Sequence, residues 1–138
     1  MIALDTSVIL TMALDEPEAE QFRSLVGREA LVIGWPTLLE ARMVLTGKGF
    51  PNAQAIVAQL VDLPRLTAIA FGERHYHAAE RAFEAFGKGR HPAALNMGDC
   101  FAYAVSKVAR APLLFKGGDF SQTDVERHAS SVVLGGRP

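Results

Sequence analysis

Short, mostly apolar runs that do not alternate strictly with polar residues recur along this chain. They are Ile2-Ala3-Leu4, Ala30-Leu31-Val32-Ile33, Leu66-Thr67-Ala68-Ile69-Ala70, Pro112-Leu113-Leu114-Phe115 and Ser131-Val132-Val133-Leu134. A strand that is apolar on both sides must be covered on both faces, as in a parallel sheet clothed by helices. The segments between the runs have helical spacing. Thr6 and Ser7 offer capping hydroxyls ahead of Val8-Ile9-Leu10, and Pro17 is expected to open a second helix bearing Ala19, Phe22 and Val26. A third begins near Pro36, with Leu38, Ala41 and Leu45 on its apolar side and Gly47-Lys48-Gly49 at its end. Ile56, Val57, Leu60 and Val61 stripe a helix over 53–63, and Tyr76, Ala79, Phe83 and Phe86 another over 73–86. Phe101, Val105 and Val108 face inward from a helix over 97–109. Strand and helix in alternation define an α/β chain, a three-layer α/β/α sandwich with a mainly parallel central sheet. Its 138 residues suit a single domain, 1–138.

Composition narrows the setting. Hydrophobic residues make up 49% of the chain, enough for a sizeable core, and no apolar run reaches the roughly 18 residues that cross a bilayer. No basic segment followed by an apolar stretch opens the chain, so a signal peptide is not expected. The single cysteine, Cys100, cannot form an internal disulfide, which makes the cytoplasm the simplest location. The net charge of −1 lacks the basic excess of a dedicated nucleic-acid binder. Either nucleic acid is not the ligand, or local basic residues and a bound metal offset an acidic pocket.

Four acids suggest that pocket. In a parallel sheet, strand C-termini and helix N-termini share one edge, where ligands bind. Asp5 ends the first strand, and Glu40 falls in the first turn or so of the helix after the second. Asp99 falls in the first turn of the helix before the fourth strand, and Asp119 follows that strand. Singly, each has an ordinary explanation as a cap, a first-turn acid or a turn residue. Jointly they would repel one another unless a divalent cation neutralised them.

Together these segments resemble the PIN-domain ribonucleases, most closely the VapC toxins of bacterial and archaeal toxin–antitoxin pairs. The matching stretches are Met1-Ile2-Ala3-Leu4-Asp5-Thr6-Ser7, Glu16-Pro17-Glu18-Ala19-Glu20, the isolated Glu40, Asn96-Met97-Gly98-Asp99-Cys100-Phe101-Ala102-Tyr103-Ala104 and the run from Leu113 to Asp124. Gly118 departs from the pattern, since similar proteins often carry a polar or acidic residue there. The resemblance implies a PIN-like fold and a metal-dependent endoribonuclease. Asp5, Glu40, Asp99 and Asp119 would be its catalytic, metal-holding acids and Ser7 a supporting residue. Asp5 and Asp99 would be the principal Mg2+ (or Mn2+) ligands. It also implies a VapB-like antitoxin as partner, an RNA substrate, and a homodimer or a higher toxin–antitoxin oligomer. Asp124 stands as an accessory acid or as a helix cap.

Hard oxygen ligands suit Mg2+ or Mn2+, which would allow an activated water to cut a phosphodiester, and the resemblance implies that the cut leaves a 3′-hydroxyl and a 5′-phosphate. Arg42 and the Lys88–Arg90–His91 loop are candidate RNA contacts, or solvated surface charge. Arg42 has a further alternative, pairing with one of the acids. Other signals are weaker. His75 and His77 point about 200° apart on a helix, which does not suit a shared zinc ion. Cys100 lacks a histidine pattern for nucleophilic chemistry. Two rival readings remain: a catalytically silent PIN-fold binding module, and a phosphatase of haloacid dehalogenase type. The phosphatase usually needs an aspartate where Ser7 stands.

Overall fold

In the computed structural model, which describes residues 1–134, four parallel strands form the central sheet. These are β1 (Ile2–Leu4), β2 (Leu31–Gly34), β3 (Leu66–Ile69) and β4 (Leu113–Leu114), in the order β3-β2-β1-β4. β1 is therefore flanked on both sides, with Ala3 opposite both Val32 and Leu113. Parallel neighbours require long crossovers. Among the described residues these are built from α1 (Thr6–Ala13), α2 (Ala19–Arg28), α3 (Trp35–Gly47), α4 (Ala53–Val61), α5 (Glu73–Phe86) and α6 (Met97–Ala109).

Alternation along each strand divides the interior into two cores. Ile2, Leu4, Leu31, Ile33 and Leu114 enter one of them, which α1 to α4 close with Val8, Phe22, Leu38 and Leu60. Ala3, Val32 and Leu113 enter the other, closed by α5 and α6 through Ala82, Cys100 and Val105. The expected three-layer α/β/α architecture is the observed one. None of the described helices is long and apolar enough to cross a membrane.

Local departures have physical causes. α2 starts at Ala19 rather than Pro17, because Glu16, Pro17 and Glu18 form a turn in which Glu16 N–H donates to Thr11 O and Ala19 N–H to Glu16 O. The run Pro112–Phe115 does not continue as one strand. Phe115 turns its N–H to Ser131 Oγ and its carbonyl to Val132 N–H, and β5 (Lys116–Gly117) follows. β6 (Val132–Val133) pairs in parallel with β5, so the last apolar run builds a separate two-stranded ribbon instead of joining the main sheet. The segment before β6 also covers the outer edge of β4: Leu113 N–H donates to Glu126 O and His128 N–H to Leu113 O.

The glycine-rich loop after α5 looks mobile by composition, yet its ends are tied by Lys88 N–H to Leu95 O and Leu95 N–H to Phe86 O. Arg90 lies over the Phe83 ring and pairs with Glu84. Phe22 is fully buried, so Phe22→Ala should cost about 3–5 kcal/mol, read as a lowered midpoint in urea melts.

Candidate active site

Because the strands are parallel, β1, β2 and β4 end on one edge, and the acids gather there. Asp5 leaves β1 as the N-cap of α1. Its N–H donates to Leu114 O, and its Oδ2 accepts from Ser7 N–H at 3.0 Å and from Ser7 Oγ at 2.5 Å. Asp99 is the third residue of α6 and closes a reciprocal cap with Asn96: Asp99 N–H donates to Asn96 Oδ1 and Asn96 N–H to Asp99 Oδ2. Glu40 stands in the second turn of α3, deeper than expected, since that helix starts at Trp35 directly after β2. Thr6 Oγ1 donates to Glu40 Oε1 at 2.5 Å. Asp119 is exposed and precedes a short 3-10 turn at Phe120–Gln122.

All four acids line one cavity of about 200 Å³, together with Thr6, Ser7, Leu10, Val44, Lys116, Gly117 and Phe120. Their charges interact. Burial pushes the Asp5 carboxyl up from 3.8 to about 6 against its two Ser7 hydrogen bonds, and the charge of Glu40 adds to the rise. Burial likewise raises Asp99 well above the ordinary carboxylate range. The Asn96 N–H opposes that rise, and the charges of Asp5 and Asp119 add to it. Lys116, the sole basic residue in the lining among the described residues, places its ammonium beside Glu16 and Glu18. The cavity therefore carries an unbalanced negative charge.

Hard carboxylate oxygens with excess negative charge are a donor set suited to Mg2+ or Mn2+. Among the described residues, no three His, Cys, Asp or Glu side chains converge tightly enough to hold an ion as they stand. The acids ring the cavity instead, with Asp5 and Glu40 turned to the hydroxyls of Ser7 and Thr6.

The remaining sequence candidates lie apart. Arg42, Lys88 and Arg90 do not line the cavity. Arg42 donates to Thr46 one turn along α3, and Lys88 borders a separate apolar groove with Phe71, Tyr76 and Phe83. Asp124 neither caps a helix nor faces the acids. Burial opposes its ionisation, but Tyr103 Oη at 2.6 Å and Lys107 Nζ at 3.2 Å prevail and hold its carboxyl low. Burial and then the charge of Asp99 push the Cys100 thiol up to about 11, which suits a core residue and not a nucleophile. His75 Nδ1 accepts from Gly72 N–H, while His77 faces Glu80.

Three contributors are not evident from the sequence alone. Thr6 orients Glu40 from 34 positions away. Lys116 N–H donates to Ser7 Oγ at 3.0 Å and so completes the support of Asp5. Gly98 has no room for a side chain, because a Cβ there would overlap the Glu40 carboxylate. Its place beside Asp99 is the one available signal, a glycine inside a helix where it otherwise costs stability.

Residues 2–126 match the model of the PIN domain. Ribonuclease VapC36 of Mycobacterium tuberculosis is 40% identical over 125 residues, covering 89% of this chain and 90% of the relative. Ribonuclease VapC30 of the same organism is 37% identical over 130 residues, covering 90% and 95%. The crystal structure of M. tuberculosis VapC20, a sarcin-ricin loop cleaving toxin, superposes with a TM-score of 0.72 at 14% identity, covering 91% of this chain and 96% of that one. VapBC2 of Rickettsia felis, bound to a DNA fragment from its promoter, gives 0.68 at 14% identity over 96% and 97%. The chain belongs to the PIN-domain family and, within it, to the VapC group.

Two measurements follow from the geometry. Between pH 3.8 and about 6, folded metal-free protein keeps a proton on Asp5 that the unfolded chain has lost, so stability falls as pH rises through this window. The Asp5 share of the loss should be on the order of 2–3 kcal/mol, and Asp5→Asn should lessen that dependence in thermal melts without abolishing it, because Asp99 is raised through the same window. Gly98→Ala, whose methyl would push the flexible end of Glu40 away from Thr6, should change stability by less than about 1 kcal/mol in denaturant melts, because alanine is the better helix former.

Proposed function

We propose that this protein is a metal-dependent endoribonuclease, the toxin half of a VapBC-type toxin–antitoxin pair. The observation that carries the reading is the gathering of Asp5, Glu40, Asp99 and Asp119 around one cavity with no balancing cation among its lining residues. The names of the VapC relatives support RNA as the substrate class.

Asp5 and Asp99, the two carboxylates most penalised by burial, would be the principal ligands of a divalent ion, with Glu40 and Asp119 supporting. When bound, Mg2+ or Mn2+ supplies a water of lowered pKa and offsets charge on the phosphodiester. The protein's own part is positional. Ser7 favours the ionised form of Asp5 and fixes its orientation. The Asn96 cap aims Asp99, and Gly98 lets Glu40 approach the start of α6. Leu10, Val44 and Phe120 narrow the cavity and limit its water.

A protein-binding face belongs to the same reading. Trp35, Leu39, Met43 and Met97 are all more than half exposed, and they border an apolar groove of about 830 Å³ that shares Glu40 and Val44 with the acid cavity. A patch of this kind marks an interaction surface. A VapB-like antitoxin and a second copy of the chain are its proposed occupants. The toxin–antitoxin complex from Klebsiella pneumoniae, a structural neighbour with a TM-score of 0.69, supports the first.

Purified protein should cut total cellular RNA in Mg2+ or Mn2+, and EDTA should stop it. Asp99→Asn should lower the rate on the order of a thousandfold. Cutting that ignores EDTA, or that survives Asp99→Asn undiminished, contradicts the mechanism.

A further inference from the structure

Among the described residues, Lys116 is the sole basic one lining the acid cavity. Its stem runs along the wall with the side chain only 12% exposed. Its Nζ lies 2.6 Å from Glu18 Oε1 and 3.3 Å from Glu16 Oε1. Both acids sit in the turn between α1 and α2, so the ammonium is held in place by a part of the chain about a hundred residues away. An ammonium has three N–H donors, and these two carboxylates are its nearest acidic neighbours. A free lysine loses up to about 2 kcal/mol of rotamer freedom when it is fixed, and this one is already ordered. The other candidate cations are placed elsewhere. Arg42 is bonded to Thr46, Arg90 to Glu84 and Phe83, and Lys88 borders a different groove.

We infer that Lys116 is a substrate-binding residue of this site, donating an N–H to a phosphate oxygen of the RNA strand that crosses the acid cavity. Glu16 and Glu18 are its positioning residues. The inference rests on the ribonuclease reading above and adds a backbone contact to it. A purely structural lysine would act through its ion pairs alone. Neutralising the two glutamates would then reproduce the effect of removing the lysine. A phosphate-binding lysine keeps its charge at the rim when the glutamates are neutralised.

The two cases separate in the salt dependence of binding, because each phosphate contact on a single strand adds about 0.7 to the slope of log K against log salt. The experiment follows the anisotropy of a fluorescein-labelled, phosphorothioate-linked RNA of mixed sequence, about 12 nucleotides long, in Mg2+ at several salt concentrations. Lys116→Met should weaken binding roughly fivefold and lower the slope by about 0.7, while Lys116→Arg restores the slope. The double variant Glu16→Gln, Glu18→Gln should keep the wild-type slope. Circular dichroism melts of each variant establish that it is folded under the assay conditions. An unchanged slope in Lys116→Met, or an equal loss in the glutamine double variant, overturns the assignment of Lys116 while RNA cutting by the wild type leaves the ribonuclease reading standing. A wild type that neither binds this RNA nor cuts total RNA overturns both.

Discussion

The buried carboxylate of Asp5 is the constraint around which the edge of this sheet is organised. It stands at the end of the strand with neighbours on both sides, where its own backbone N–H is taken by Leu114 and its side chain is almost shut off from water. A charge in such a place is costly unless hydrogen bonds or a counter-ion compensate it. The chain supplies the hydrogen bonds locally, through Ser7, and supports Ser7 in turn by the backbone of Lys116 from the far end of the sequence. Among the described residues it supplies no counter-ion. Glu40 and Asp99 arrive from α3 and α6 with the same sign of charge, which sets the electrostatic demand that a divalent cation would meet.

The layering was legible in the sequence because buried parallel strands must be apolar on both faces. Leu31-Val32-Ile33 reads as a covered strand and proves to feed both cores, Leu31 and Ile33 on one side and Val32 on the other. Three of the four acids could be placed at element ends from local pattern. Glu40 lies one residue deeper than a start at Pro36 would place it, because α3 begins at Trp35 with no loop after β2. The start of α2 was missed for a related reason. A proline opens helices well in general, but here its two flanking glutamates serve Lys116 and form a turn of their own. Contacts that span the chain, such as Thr6 to Glu40 or Tyr103 to Asp124, leave no periodic trace. They depend on the crossovers that bring distant segments together.

Cations are distributed in a way that composition conceals. With nearly equal numbers of acids and bases, the chain looks electrostatically neutral. Yet Arg23 is occupied by Asp15 and Glu20, Arg90 by Glu84, Lys107 by Asp124 and Lys116 by Glu16 and Glu18. Among the described residues none of the four cavity acids has such a partner. Near-zero net charge thus coexists with a strongly polarised sheet edge, and it is this local field, more than the total, that bears on what the protein binds.

The segment that lies along β4 has a consequence for handling the chain. A sheet edge with free backbone donors and acceptors is a template for pairing with other molecules. Here the edge at Leu113 is occupied by Glu126 and His128, and the ribbon beyond it is completed by Val132. The region recognised as the PIN domain stops at residue 126, just where this cover begins. A fragment cut to that boundary would keep all four acids yet present an unprotected apolar strand to its neighbours. Aggregation would be among its failure modes, so the described part of the tail belongs to the colloidal integrity of the molecule although none of its residues lines the acidic cavity.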